Sequence, residues 1–532
     1  MIADKELDAV DVLARFPDNG ELGEKQADQR NPAIRLYGRR FYKDQTPIEY
    51  LSEFLLVFAS PKKEPGEGAY QLRLIKGEEP RYWPRDRVEL KLFSFFPSSK
   101  LETRHPAHRR TYMNAMQAIK QCIDGCSEEQ KDETVRLLQS LFNGFVGVAK
   151  NRTWVTYTFF PASTFLLSHE VTWQHPKALR NINVTDWESS KKYFDQSTHN
   201  FLGRGGELLF LQLANLADQC ESPEIINMIS HEEYKHLSRI GVKGLIDQLE
   251  DKLKSVLDDA VAPIGELVNF IENALDKYKL NEKPRPTHLG WVPVSSRIEA
   301  LLFATEMHNI CSSTLSGLDK LDLLQILCCM QVLRSLCFQA RRIDRSEKRT
   351  VGFIGNYTWI VTDPDATIDQ PIRKMAQISF DRIDGMLYRV LRSDLFIKIG
   401  LSLSEKDLKN GDDNGFRHFR KFSKEIGLIT PKKGTGQRFT LHQGLLRFLV
   451  AALLTPGEKI RLTDFYQRIF AHYGIAISGQ QLAIALEWNG SESGNQSYAI
   501  SSSTAWVEEA LQQGGFLVEL SDAVSIVHNP GS

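Results

Sequence analysis

The chain has 532 residues, more than the roughly 250–300 that a single hydrophobic core accommodates, so several domains are expected. Its 42% hydrophobic and 25% charged residues are ordinary for globular proteins and argue against an intrinsically disordered chain. The 66 basic and 67 acidic residues give a net charge of -1, so only a local patch could hold nucleic acid or an anionic membrane.

The sequence predicts neither a targeting signal nor a membrane span. Its N-terminus is acidic where a secretory signal has basic residues, and no stretch approaches the roughly 18 uninterrupted apolar residues of a span. The seven cysteines are an odd number, and most fall in predicted helices, which is typical of reduced, buried thiols. We therefore expect a cytoplasmic protein without a membrane partner.

The N-terminal region divides into an arm and a small domain. Residues 1–30 are polar and rich in Asp, Glu and Gly, and this composition predicts a flexible arm. Residues 31–105 are predicted to form a small α+β domain. Its predicted elements are a strand at 34–41, a helix at 48–58 that begins after Pro47, and strands at 70–75 and 88–96.

Helical periodicity dominates the middle of the chain. Residues 106–285 predict a helical domain with a strand insertion at 154–160, where Thr, Val, Tyr and Phe accumulate. Three prolines and a glycine within 281–293 cannot continue a helix and predict a linker. Residues 286–410 predict a second helical domain, whose apolar stretch 321–336 should be a fully buried helix. The predicted fold class is mainly α with small α+β portions, in a multidomain chain.

Residues 411–532 have the pattern of tandem winged-helix-like units. Gly-Asp-Asp-Asn-Gly at 411–415 predicts a turn that caps a helix over 416–426, with Phe416, Phe419 and Phe422 facing a core. Short strands at 428–430 and 438–440 flank Pro-Lys-Lys-Gly-Thr-Gly and predict a β-hairpin. A winged helix has this layout: its second helix enters the major groove of DNA and its hairpin touches the backbone.

The predicted helix and hairpin are strongly basic. We call residues 417–438 the basic segment; its only anion is Glu425, and its net charge is +6. Its seven cations are the candidate nucleic-acid-binding residues: Arg417, Arg420, Lys421, Lys424, Lys432, Lys433 and Arg438. Such side chains bind phosphates and release counterions, which gives affinity without sequence specificity. Two other interpretations of the pattern stay open. The winged helix could bind a protein, or the charged face of the helix could simply be exposed to solvent.

A second unit follows the basic segment. Its predicted helices are at 443–454 and 462–473, and its predicted strands are at 498–501 and 516–519. It is weakly charged, so we interpret it as a packing or pairing module.

The last fifth of the chain resembles a group of bacterial proteins. The similarity lies in Gly-Thr-Gly-Gln-Arg-Phe-Thr-Leu at 434–441, Leu-Leu-Arg at 445–447, Pro-Gly-Glu at 456–458 and His-Tyr-Gly-Ile at 472–475. These runs resemble C-terminal regions of uncharacterised proteins in anti-phage defence islands, in particular accessory components of methylation-associated defence systems. The resemblance implies a subunit of a multi-protein assembly that recognises foreign DNA or supports nuclease and methyltransferase subunits.

Motifs for metals and cofactors are sparse. The glycines at 203–206 and 434–436 lack the spacing of a nucleotide-binding loop. His231 and His236 are not one helical turn apart, as a zinc-protease helix requires, and both are interpreted as surface residues. We therefore predict no cofactor and no metal.

One pattern suggests an enzyme. Glu89 and Lys91 are two residues apart on a predicted strand, as are the Mg²⁺-binding carboxylate and the lysine of restriction-type nucleases. The pattern is common, however, because Glu-x-Lys also begins at Glu129, Glu233 and Glu250. No second acidic ligand stands at the end of a clear strand.

Three hypotheses follow. The leading one is a non-catalytic DNA-binding or scaffolding subunit of a bacterial anti-phage defence complex, with duplex DNA and other subunits as partners. The alternatives are a metal-dependent nuclease subunit that uses Glu89 and Lys91, and a purely structural protein–protein adaptor.

Overall fold

The computed structural model describes eleven continuous stretches of the chain and some short pieces between 156 and 196. The stretches are 12–18, 29–39, 45–64, 66–84, 105–142, 205–238, 240–278, 286–344, 350–490, 504–520 and 524–530. The fold is mainly helical with small sheets, as the sequence predicts.

Helices account for most of the described residues. In the first part of the chain they are α1 (Pro32–Tyr37), α2 (Pro47–Ala59), α3 (Pro106–Gln121), α4 (Glu128–Leu141), α5 (Trp187–Lys191), α6 (Gly205–Asp218), α7 (Pro223–Ser230), α8 (Val242–Val261) and α9 (Gly265–Leu275). In the second part they are α10 (Arg297–Ser312), α11 (Gly317–Ile343), α12 (Pro371–Val390), α13 (Leu395–Lys398), α14 (Glu405–Asn414), α15 (Phe416–Glu425), α16 (Gln443–Leu453), α17 (Leu462–Tyr473), α18 (Gly479–Trp488) and α19 (Ala505–Gln513). Short 3₁₀ helices cover Glu232–Ser238, Ala262–Ile264, Asp276–Tyr278 and Val294–Ser296.

The strands are short and form small sheets. They are β1 (Arg15–Phe16), β2 (Arg81–Tyr82), β3 (Thr156–Tyr157), β4 (Phe160–Pro161), β5 (Val171–Trp173), β6 (Phe194–Gln196), β7 (Thr287–His288), β8 (Val292–Pro293), β9 (Trp359–Ile360), β10 (Ile429–Thr430), β11 (Arg438–Phe439), β12 (Lys459–Arg461), β13 (Ile475–Ala476), β14 (Leu517–Leu520) and β15 (Val524–His528). Among the described strands, only β12, β15 and β14 form a sheet of three, in that order. The other sheets are two-stranded pairs, and β9 with β13 is parallel.

The main hydrophobic core surrounds α11. This helix confirms the buried helix predicted over 321–336, and Cys328 and Cys329 are fully buried in it. Among the described helices, α11 alone is long and apolar enough to cross a membrane, but 78% of its apolar stretch is buried inside the protein. A second, smaller cluster is formed by α3, α4, α5 and α9.

Helices α2 and α6 approach each other closely because α6 begins with two glycines. A Cβ atom at Gly206 would lie 2.2 Å from the carbonyl oxygen of Tyr50 and 2.3 Å from the backbone nitrogen of Phe54. The Gly206 N–H instead donates a hydrogen bond of 3.0 Å to Oε2 of Glu53, a buried carboxyl of α2. Burial raises the pKa of Glu53 well above its usual range.

A buried polar network joins α10, α11 and α17. Arg334 donates two hydrogen bonds to the carboxylate of Glu306, at 2.7 and 2.8 Å, and both side chains are fully buried. His472 lies 2.8 Å from Glu306 through Nδ1 and 2.8 Å from His236 through Nε2. His236, predicted to be a surface residue, is half-buried and contacts this network, whereas His231 is exposed as predicted.

Part of the predicted N-terminal arm packs on the body of the protein. Arg15 and Phe16 pair with Pro293 and Val292 in an antiparallel sheet. Val12 is 5% exposed, and its carbonyl accepts a hydrogen bond from Gln339. The expectation of a flexible arm is therefore wrong for residues 12–18.

Two predicted strands of the α+β domain are not strands. Residues 32–37 of the first are helix α1, because Pro32 at its first position and the Asn31 side chain, which accepts from the N–H groups of Ala33 and Ile34, start a helix. Residues 70–75 form turns and bends. The strand predicted at 88–96 lies outside the described residues.

The predicted linker at 281–293 is structured where the fold is described. Leu289 and Trp291 are each 1% exposed, and β7 and β8 pair with β2 and β1. Helices from both sides of the predicted boundaries at 105, 285 and 410 contribute to the main core. The division of the chain into domains stays a prediction.

Candidate nucleic-acid interface

Helix α15 forms where the basic segment predicts a helix, one residue shorter at its C-terminus. Phe416, Phe419 and Phe422 recur every three residues, and all three are buried. Phe419 is in edge-on contact with Trp359 and Phe439, at ring distances of 6.0 and 6.4 Å. The apolar face of α15 therefore anchors the basic segment to the main core.

The turn predicted at 411–415 is wrong. Residues 411–414 complete α14, and Gly415 alone separates α14 from α15. Ser404 caps α14 by accepting a hydrogen bond from the Asp407 N–H, so the helix starts well before the Gly-Asp-Asp-Asn-Gly run. Gly411 is needed there because a Cβ atom would lie 2.3 Å from Cγ of Pro32.

The predicted hairpin is confirmed. Strands β10 and β11 are antiparallel, with Ile429 opposite Phe439 and Thr430 opposite Arg438. Gly434 and Gly436 have φ angles of 94° and 75°, a region that disfavours residues with a Cβ atom. We call residues 431–437 the hairpin loop.

The arginines of α15 are bound to carboxylates. Arg420 donates two hydrogen bonds to Asp384 of α12, at 2.5 and 2.6 Å. Arg417 donates to Asp413, one turn earlier, at 2.6 Å. Their side chains are 41% and 51% exposed, so each could reach a phosphate only in competition with its own aspartate.

The lysines of α15 are also partly engaged. Lys421 donates to the carbonyl of Gln45 at 3.1 Å and lies 3.9 Å from Glu425. Burial and the neighbouring charge of Arg420 lower the pKa of Lys424, although Asp384 opposes this. Cations are therefore crowded on this face, where carboxylates partly balance them.

Arg438 points into the protein. It is 3% exposed, and its Nη2 donates to the carbonyl of Pro364 at 2.7 Å. Burial and the charge of Arg373 lower its pKa, while Asp363 and Asp365 oppose this. The prediction that Arg438 contacts a phosphate conflicts with this burial.

Lys432 and Lys433 are the cations of the basic segment that the fold leaves most accessible. Both are exposed in the hairpin loop, and in the described part of the chain neither has a carboxylate within 4 Å. Lys432 acts on Glu425, whose pKa is raised by burial and lowered in part by Lys421 and Lys432.

The folded chain therefore reduces the charge of the basic segment. In the described part of the chain three of the seven cations, Arg417, Arg420 and Lys421, lie within 4 Å of a carboxylate, and Arg438 is buried, so fewer charges are open to solvent than the sequence shows. The carboxylates of these pairs are Asp413, Asp384 and Glu425. The Asp413–Arg417 pair was detectable from its i,i+4 spacing, whereas the Asp384–Arg420 pair spans 36 residues.

The second unit presents a different surface. Its helix α19 precedes β14, and the exposed residues of α19 include Glu509, Gln512 and Gln513 but no cation. On the outer strand β12, Lys459 and Arg461 are exposed. The helix predicted at 462–473 is confirmed, whereas the strand predicted at 498–501 lies outside the described residues.

The nuclease alternative cannot be placed in the structure. Glu89 and Lys91 lie outside the described residues. Within the stretches that the structure describes, no group of three or more His, Cys, Asp or Glu side chains is arranged to hold a metal ion.

Comparisons with known proteins give no family. No protein-family model, curated protein or solved structure matches the chain. The proposals below therefore depend on the residues and contacts of this chain.

Proposed function

We propose that the protein is a non-catalytic scaffolding subunit that contacts the phosphate backbone of duplex DNA through its hairpin loop. The observation that carries this proposal is the pair of exposed lysines, Lys432 and Lys433, at the tip of a hairpin anchored to the core. The resemblance of 434–475 to defence-island proteins supports a place in a multi-protein anti-phage complex. Its partners would be duplex DNA and the other subunits.

The order of elements supports a winged helix. Helices α12, α14 and α15 are followed by the β10–β11 hairpin, which is the order of the three helices and the wing in that motif, with the four-residue α13 as an addition between α12 and α14. In it, α15 holds the position of the recognition helix. However, α15 packs against α2, where Tyr50 lies 3.1 Å from Nε2 of His418, so part of that helix is not open to a groove. We therefore assign DNA contact mainly to the wing.

Contacts of this kind give non-specific binding. Each lysine that neutralises a phosphate releases about one counterion, so the logarithm of the binding constant falls with log[salt] by about 0.9 per contact. Two contacts give a small slope and weak affinity. Such binding suits a subunit that positions DNA for its partners, since base readout needs side chains inside a groove.

The variant Lys432→Ala/Lys433→Ala tests the proposal. Its binding to a labelled duplex is measured by fluorescence anisotropy at several salt concentrations. We expect the salt slope to fall by about two units and affinity to fall equally for unrelated sequences. The matched control is Lys243→Ala/Lys254→Ala, which removes two exposed lysines from α8, outside the proposed motif, and should leave binding unchanged. Equal binding by the hairpin variant and the parent at every salt concentration would contradict the proposal.

Removing carboxylates tests whether the arginines of α15 are held back by their ion pairs. In Asp384→Asn/Asp413→Asn, Arg420 and Arg417 lose their partners and become available to phosphates. We expect tighter binding and a salt slope steeper by up to about two units. An unchanged slope would restrict the DNA contact to the hairpin loop.

A protein adaptor is the second candidate, and the C-terminal unit favours it. The order α16, β12, α17, α19, β14, β15 and the sheet order β12–β15–β14 match a winged helix, with α18 as an additional helix. Here α19 holds the recognition position, but its exposed face carries Glu509 and no cation. A carboxylate there repels phosphate, so this unit is suited to a protein partner. If neither the hairpin variant nor any other variant loses DNA binding, the protein adaptor becomes the first candidate.

A further inference from the structure

The sheet formed by β12, β15 and β14 carries apolar side chains on the face that points away from the core. Leu517 and Val527 are opposite each other and buried, so the residues next to them point outward. These outward residues of β14 and β15 are Val518, Val524 and Ile526; the two valines are exposed and the isoleucine is half-buried. An antiparallel sheet with one covered face usually has polar residues on the other. Exposed apolar patches of this kind mark interaction sites.

Strand β12 adds positive charge to the same face. Its outward residues are Lys459 and Arg461, and Arg461 is opposite Ile526. Both are exposed, and among the residues that the structure describes no carboxylate lies within 4 Å of either cation. We call these five outward side chains of the three strands the outer sheet face. A phosphate backbone would use its cations but leave its valines in water, so the face is better matched by a protein with an apolar stripe and carboxylates.

Helix α4 has this complementary chemistry. Only two of its 14 residues are buried, and Leu137 and Leu141, one turn apart, are 64% and 42% exposed. Glu133 and Glu129 precede Leu137 by one and two turns; both are exposed, and no cation of the described chain lies within 4 Å of either. We call these four residues the α4 stripe. Arg136, an exposed cation of α4, lies about 100° around the helix from Leu137, at the side of the stripe.

The dimensions of the two surfaces agree. A helix rises about 1.5 Å per residue, so Glu133 and Leu141 are about 12 Å apart along α4. Neighbouring strands are about 4.8 Å apart, so the outer strands β12 and β14 are about 10 Å apart. A helix that crosses the strands therefore places its glutamates at the basic edge while its leucines cover the valines.

We propose that copies of this chain associate head to tail, with the α4 stripe of one copy on the outer sheet face of the next. Because the two surfaces differ, each added copy brings one of each, and the contact continues into a ring or an open array. The contact surfaces are small, so the association is weak and depends on concentration. It is independent of DNA binding, since neither surface contains a residue of the hairpin loop.

Sedimentation equilibrium of the full chain, from micromolar to submillimolar concentration, tests the proposal. The parent should associate as its concentration rises. The sheet variant, Lys459→Glu/Arg461→Glu, and the helix variant, Glu129→Lys/Glu133→Lys, should each raise the dissociation constant at least about tenfold. Each exposed ion pair contributes up to about 1 kcal/mol, and reversing the charge adds repulsion. The matched control, Lys406→Glu/Lys409→Glu, reverses two exposed lysines of α14 outside both surfaces and should associate like the parent.

An equimolar mixture of the sheet variant and the helix variant shows whether the two surfaces meet. In the mixture each acidic surface finds a basic one on the other variant, so we expect association to recover to the level of the parent. Melting temperatures report whether both variants keep the fold. A parent that stays monomeric, variants that associate like the parent, a control that dissociates like the variants, or a mixture that does not recover would each overturn the proposal. With a monomeric parent, loss of duplex binding by the sheet variant would assign the basic edge to DNA, and unchanged duplex binding would assign the face to a different protein.

Discussion

The basic segment and the C-terminal unit are both helix-and-hairpin arrangements, yet their charges are organised in opposite ways. In the basic segment seven cations are crowded on α15 and its hairpin, and Asp384 of α12 and Asp413 of α14 pair with two of them. In the C-terminal unit few charges are present and the exposed face of α19 is acidic. Charge density along a sequence therefore overestimates the charge at a surface, because folding pairs cations with carboxylates that are distant in sequence, as Asp384 is from Arg420.

The two regions also differ in how they are attached. The basic segment is fixed by aromatic packing, with Phe419 between Trp359 and Phe439. The C-terminal unit is attached through α17, whose His472 enters the buried network of Glu306 and Arg334. The first attachment is mainly aromatic and holds one buried histidine, His418, against Tyr50, whereas the second places His472 in a buried ionic network, so they should respond differently to mutation and to pH.

The largest expected effect is loss of the aromatic attachment. Phe419→Ala removes a fully buried ring, and such changes cost about 3–5 kcal/mol through lost transfer free energy and the cavity left behind. The matched change in the C-terminal unit is Leu511→Ala, also fully buried, which should cost less because the removed side chain is smaller. Urea unfolding followed by circular dichroism measures both. A smaller loss for Phe419→Ala than for Leu511→Ala would contradict the apolar anchor.

Much of this architecture was predictable from the sequence, because the signals are local. The apolar periodicity predicted α17 with its observed bounds and α15 to within one residue. The glycines of the hairpin loop predicted the turn between β10 and β11. The strand at 34–41 failed because the cap formed by Asn31 and Pro32 outweighed the apolar pattern that follows it.

The candidate site was less predictable than the helices. Its residues were correctly placed on one helix and one hairpin, but their availability depends on partners distant in sequence. Asp384 is 36 residues from Arg420, and no periodicity brings them together. Arg438 faces inward because its strand packs beside α12, a contact that only the tertiary structure fixes.

A pH change should loosen the C-terminal attachment before the aromatic one. Burial lowers the pKa of His472, and Arg334 and Arg468 add to this, although its hydrogen bond to Glu306 opposes them. The folded chain thus disfavours the imidazolium, so stability is present above the unfolded pKa of about 6.5 and is lost as pH falls below it. One such group contributes at most about 1.4 kcal/mol per pH unit.

Hydrogen exchange between pH 7.5 and 5.5 measures this difference, with rates corrected for the intrinsic pH dependence. Protection of α17 should fall with pH. Because α15 contains the buried His418, the comparison is made in the variant His418→Gln, where protection of α15 should change little. His472→Gln, whose amide can still donate to Glu306, is the control and should show a weaker pH dependence in α17. Parallel loss of protection in the parent and the control would assign the effect to other groups.

The smallest expected effect on stability comes from changing the charge of α19. Glu509→Lys/Gln512→Lys alters two exposed positions one turn apart, and surface changes of this kind stay within about 0.5 kcal/mol. If α19 holds the recognition position of a second winged helix, the two lysines should give this unit new non-specific DNA affinity and steepen the salt slope by about two units.

Ser255→Lys/Asp258→Lys makes the same change in charge and spacing on the exposed face of α8, and it should steepen the slope less. Anisotropy titrations against one duplex compare the variants with the parent. Equal salt slopes for the α19 and α8 variants would mean that two added lysines increase DNA affinity wherever they stand on the protein. The position of α19 in the C-terminal unit would then give it no special access to a DNA groove.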